Sequence, residues 1–138
     1  MSDHNPTIAD LKAFIRAQLN ANCDPVPPKT ATSQQKHLTV WTTRDKRRPI
    51  GLEFGHDEIV NLWIVSMNAP PKLPDTVKVT KKVWKGSGWR DKDPSPGEKS
   101  KGANSNLKPF EVFNTRPITR LGIQSIDDAR AILEHLFA

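Results

Sequence analysis

Residues 38–65 read LTVWTTRDKRRPIGLEFGHDEIVNLWIV, and this stretch decides the fold because its apolar residues recur at every second position. In 38–44, Leu38, Val40 and Thr42 fall on one face and Thr39, Trp41 and Thr43 on the other, the period of a pleated strand rather than of a helix. The turn Arg44-Asp45-Lys46-Arg47-Arg48-Pro49 separates this strand from 50–54, where Ile50, Leu52 and Phe54 alternate with Gly51, Glu53 and Gly55. The pair reads as a hairpin. Beyond Gly55-His56-Asp57, the stretch 59–65 is apolar on both faces except at Asn61, as befits a strand in the middle of a sheet. Connections this short predict antiparallel pairing, because a parallel crossover needs about a dozen residues or more.

Upstream, the period lengthens to that of a helix. Ile8, Leu11, Phe14, Ile15 and Leu19 recur at steps of three and four over 7–22, and Thr7 followed by Asp10 has the pattern of a capping box. Asp24-Pro25-Val26-Pro27-Pro28 cannot continue the helix and predicts a stiff extended connector as far as about Lys36.

Downstream, a proline-rich bend at 68–74 leads into a strand at 77–84. Its Val77, Val79 and Val83 are read as facing the core, and its Lys78, Thr80, Lys82 and Trp84 as facing water. Between 86 and 106 only Trp89 and Ala103 are apolar, a composition that predicts a flexible basic loop. Two further strands are expected at 110–113 and 118–123, across a turn at 114–117. A final helix over 126–137 starts at Ser125, with Asp128 three residues on and a stripe of Ile126, Ala129, Ile132, Leu133 and Leu136.

The sum is a single α+β domain over 1–138: an antiparallel sheet of about six strands, flanked by an N-terminal and a C-terminal helix that cover one face. The opposite face is expected to stay partly open, lined by Trp41, Glu53, Lys78, Lys82 and Trp84. A chain of 138 residues buries enough surface to fold without staples, and Cys23, the only cysteine, has no partner for an internal disulfide. No apolar run approaches the ~20 residues a bilayer demands, and the first ten residues lack the pattern of a secretory leader. The expected setting is the cytoplasm, with no membrane partner.

Charge supplies the functional reading. The chain carries 21 Lys and Arg against 15 Asp and Glu, a net +6. Residues 76–110 hold nine of those bases (Lys78, Lys81, Lys82, Lys85, Arg90, Lys92, Lys99, Lys101, Lys108) against Asp91, Asp93 and Glu98, so the whole excess is local. Lysines neutralise phosphates, and indoles stack on unpaired bases for ~1–3 kcal/mol each. The predicted site is therefore Lys78, Lys81, Lys82, Trp84, Lys85, Trp89, Arg90 and Lys92, and the predicted function a non-enzymatic module that binds nucleic acid or another polyanion. One alternative is an adaptor or inhibitor that anchors a protein partner with Trp84, Trp89 and Arg90, as aromatic and arginine hot spots do. A third class is a small-ligand or enzymatic domain with a pocket between sheet and helices.

Other chemistries find little support. Glu53, His56, Asp57 and Glu58 supply acceptors for a cation or for acid and base work, but without a diagnostic spacing. No glutamate is followed two positions later by lysine, which removes the metal-dependent nuclease pattern that spacing would signal. Asp91-x-Asp93-x-Ser95 opens like a calcium loop, yet Pro96 stands where the sharp turn needs glycine and Gly102 where a carboxylate should close it. Gly86-Ser87-Gly88 is too short to cradle phosphate. Cys23 reads as a small buried apolar residue. No catalytic residue, metal or cofactor is predicted.

Overall fold

Thr7 starts the first helix, α1 (Ile8–Asn22). Its hydroxyl accepts the Asp10 N–H at 3.1 Å, while the Asp10 carboxylate accepts the Thr7 N–H at 3.0 Å, so the expected capping box forms and two otherwise orphaned donors are satisfied. Leu11, Ile15 and Leu19 bury the inner stripe. Ser125 does the same for the last helix, α2 (Ile126–Phe137), accepting the Asp128 N–H at 3.1 Å above a stripe of Ala129, Ile132, Leu133 and Leu136. This computed structural model describes residues 7–27, 38–45, 47–86, 88–92, 96, 107 and 110–138.

Between the helices the described residues form one seven-stranded antiparallel sheet. In chain order the strands are β1 (Cys23–Val26), β2 (Leu38–Thr43), β3 (Pro49–Glu53), β4 (Val60–Val65), β5 (Lys78–Lys85), β6 (Gly88–Asp91) and β7 (Ile118–Ile123). Across the sheet they run β1-β2-β3-β4-β7-β5-β6. The last strand thus inserts between β4 and β5, pairing Leu62 with Leu121 on one side and Val79 with Leu121 on the other.

The count differs from six for identifiable reasons. β1 forms where an extended connector was expected, antiparallel to β2 with Cys23 opposite Thr43. It is an edge strand, the position in a sheet that tolerates a proline such as Pro25. β6 forms at the start of the expected loop. Residues 110–113 are not a strand but successive turns, with Phe110 N–H donating to Leu107 O, Phe113 to Phe110 O and Arg116 to Phe113 O. Their step of three brings Leu107, Phe110 and Phe113 to one side, whereas a strand would turn alternate residues apart.

Both faces of the sheet are covered over its centre, so of the residues expected on a partly open face Glu53 and Lys82 are buried and Lys78 is exposed. On the first face both helices pack over Trp41, Ile50, Leu52, Val60, Leu62, Ile64, Leu121 and Ile123. On the second, Leu107, Phe110 and Phe113 close over Leu38, Val40, Trp63, Val65 and Ile118. Each such side chain contributes about 1.5–3 kcal/mol by leaving water, so a second layer this apolar is a core in its own right. Trp41 also lies on the helix side, its Nε1–H donating to Asn20 Oδ1 at 3.0 Å. No described helix is long and apolar enough to cross a membrane.

Candidate functional site

β5 and β6 form a hairpin at the edge of the sheet, and its register decides what each predicted residue can do. Lys82 pairs with Asp91, Val83 with Arg90, Trp84 with Trp89 and Lys85 with Gly88. The connection turns at Gly86, whose φ of 67° suits a residue without a Cβ. Side chains alternate across the ribbon, so the predicted site splits in two.

One set turns inward, onto the second face of the sheet. Trp89 is only 2 % exposed and donates its Nε1–H to Arg116 O at 2.8 Å. Trp84 is half-buried against it, edge to face with ring centroids 5.0 Å apart. Lys82 is 3 % exposed and bonds the Asp91 carboxylate. The side chains of Trp89 and Lys82 are thus buried, away from the exposed lysines, although Lys82 also borders a pocket. Lys78 is exposed on this same face, but at the opposite end of β5, across from Gly122.

The other set turns outward. Lys81, Lys85 and Arg90 lie on the helix-side face of the hairpin, and Lys92 extends the row, its N–H donating to Lys81 O at 3.1 Å. All four are exposed. They are exposed because the helical layer ends early. The start of α2 meets the chain just before β5, where Thr76 bonds Asp128 and Val77 is buried. From there β5 runs past the helices, and Val79, expected in the core, is 40 % exposed. The alternation along β5 matches the sequence reading, but the wet face is the one with Lys81 and Lys85, not the one with Lys82 and Trp84.

The electrostatics follow from the same alternation. Asp91, the acid among the described residues of the hairpin, pairs across the ribbon with Lys82 and is held by its ammonium group. None of Lys81, Lys85, Arg90 and Lys92 makes an ion pair among the described residues. Four cations therefore stand on one exposed face, alternate positions being about 6.7 Å apart along a strand. The predicted loop beyond Lys92, including Asp93, Ser95 and residues 97–106, lies outside the described residues apart from Pro96.

Next to this row lies a pocket of about 470 Å³ that the sequence did not announce. It draws on the 66–74 segment, β5, β7 and Lys92, pieces too far apart in the chain for spacing to reveal. Ser66 and Thr119 line it and hydrogen-bond each other at 2.8 Å.

The remaining candidates resolve into structural roles. Glu53 is buried on the second face and accepts from Trp63 Nε1 and from Asn61 Nδ2 at 3.3 Å, with His56 Nε2 3.1 Å away. Arg120 lies over the Trp63 ring, 5.7 Å from its centroid. The carboxylate is thus surrounded by donors that order the end of the sheet, while Asp57 and Glu58 stay exposed. No group of three or more His, Cys, Asp or Glu among the described residues has the geometry for a metal ion. In the basic turn between β2 and β3, Arg44 pairs with Asp24 at 3.2 Å. Arg48 donates to the carbonyls of His135, Leu136 and Ala138, capping the negative end of α2. Burial pushes the Cys23 thiol up to about 11, against a smaller lowering by Arg44, so it stays protonated and unreactive near neutral pH.

No known protein family, curated protein or solved structure matches the chain.

Proposed function

We propose that this chain is a non-enzymatic binding module, working in the cytoplasm, that engages nucleic acid through the outward face of the β5–β6 hairpin. One observation carries the reading: Lys81, Lys85, Arg90 and Lys92 share an exposed face and make no ion pair among the described residues, while the carboxylate of the hairpin, Asp91, is bound to Lys82. Charges arranged this way hold a phosphate backbone by counterion release and do not depend on base identity. The inward indoles take no part, so the affinity rests on phosphate contacts.

Four phosphate contacts set the size of the effect. The log–log dependence of affinity on salt has a slope of about −2.8 for a single strand and about −3.6 for a duplex. Fluorescence anisotropy of a labelled oligonucleotide, titrated at several salt concentrations, measures it. Replacing the four cations together by alanine removes the slope, whereas Arg47→Gly, which deletes an exposed charge in another turn and keeps its left-handed backbone, leaves it intact. Equal slopes for the wild type and the fourfold variant would falsify the assignment.

A further inference from the structure

The pocket beside the cationic row has a composition that the phosphate contacts alone do not explain. Pro70, Pro71 and Leu73 line it from the 66–74 segment, and Val79 and Val83 from β5, beside Lys82. Pro70 and Pro71 lack a backbone donor, so they offer that side of the pocket apolar ring surface and no N–H. At the base, the Ser66 and Thr119 hydroxyls use one proton between them. The second hydroxyl proton and the unused lone pairs are left to meet polar edges. Lys81 and Lys92 line the same pocket.

Exposure points to the same place. Among the described residues the exposed large apolar side chains are Met67 and Val79. Val79 lines the pocket, and Met67 directly follows Ser66. Val79 thus presents exposed apolar surface within the pocket itself. At about 470 Å³ the cavity falls within the ~300–1,000 Å³ of small-molecule sites, a volume sufficient for one heterocycle.

From this arrangement we infer that the pocket receives one unstacked base of a single-stranded nucleic acid whose flanking phosphates lie on Lys81 and Lys92. The inference rests on the polyanion reading above and narrows it to strands with unpaired bases. Apolar side chains take the ring, hydroxyls meet its edge, and the neighbouring Lys81 and Lys92 hold the charge beside it. A base within a duplex cannot enter, since its faces are already stacked.

The test keeps the phosphates and removes the base. A labelled thymidine strand of about ten nucleotides, within the span of single-strand sites, is compared with the same strand carrying abasic residues throughout. The intact strand binds about fivefold or more tightly at equal salt, as expected for one stacked base, and both strands show the same salt slope. Val79→Met and Val83→Met narrow the pocket from one wall without changing charge. They erase the fivefold ratio and leave the affinity for the abasic strand unchanged. Equal binding of intact and abasic strands by the wild-type protein overturns the base pocket while the phosphate row stands. Failure of both strands to bind in a salt-dependent way overturns the phosphate row and the pocket with it.

Discussion

The two faces of the β5–β6 hairpin have similar chemistry and opposite fates. Inward are Lys82, Asp91, Trp84 and Trp89, and outward are Lys81, Lys85, Arg90 and Lys92 with Val79 and Val83. A lysine and its neighbour one position away in sequence thus differ from 3 % exposed and ion-paired to exposed and without an ion pair among the described residues. Charge density along a sequence does not distinguish them. What distinguishes them is which face of the sheet is still covered where the strand passes, and that depends on where the helices and the 107–116 turns end.

The sharpest way to break this comparison is at Trp89. Its ring is buried and its Nε1–H is held by the Arg116 carbonyl, so Trp89→Ala removes both the filling of the second core and a hydrogen bond. The expected loss is about 3–5 kcal/mol, read as a lowered urea midpoint. A loss below about 1 kcal/mol, within the range of ordinary surface substitutions plus fitting error, would mean that the indole is not part of a core.

Lys82 is next. Its ammonium group is buried and its partner Asp91 is only partly exposed, so Lys82→Met leaves a carboxylate without its cation and costs about 2 kcal/mol. Combining it with Asp91→Asn recovers part of that loss, because the charge that Lys82 balanced is then removed as well. Additive losses in the double variant would show that the two side chains do not act as a pair. Neither substitution removes one of the four exposed cations, so the salt slope for oligonucleotides is expected to hold.

Much of the fold was legible before any coordinates. Both helices begin at the capping residues the sequence marks, Thr7 and Ser125, and β2, β3 and β4 follow the two-residue period of 38–65. The faces within each strand are also as read, with Ile50 and Leu52 opposite Gly51 and Glu53. What sequence could not supply was the cover. Leu107, Phe110 and Phe113 form a lid over the second face through turns whose step of three has no strand or helix signature. Short edge strands such as β1 and β6, with four residues each, carry too little alternation to stand out from a proline connector or a basic loop. The candidate site suffered from the same gap. All eight predicted residues are in or beside one hairpin except Lys78 at its far end, yet only four of them meet solvent together.

The smallest expected effect is the most discriminating one. Lys85 sits opposite Gly88 on the outward face, exposed and without an ion pair among the described residues. Lys85→Ala therefore changes stability by no more than about 0.5 kcal/mol, and it should also reduce the single-strand salt slope by about 0.7, the share of one phosphate contact. Lys82→Met has the reverse signature: a large change in stability with the slope intact. Both residues belong to one strand and lie three positions apart, so crossing of the two readouts isolates the effect of facing from that of charge. If Lys85→Ala lowers stability while the slope holds, Lys85 belongs with the inward set, and the outward row ends at Lys81, Arg90 and Lys92.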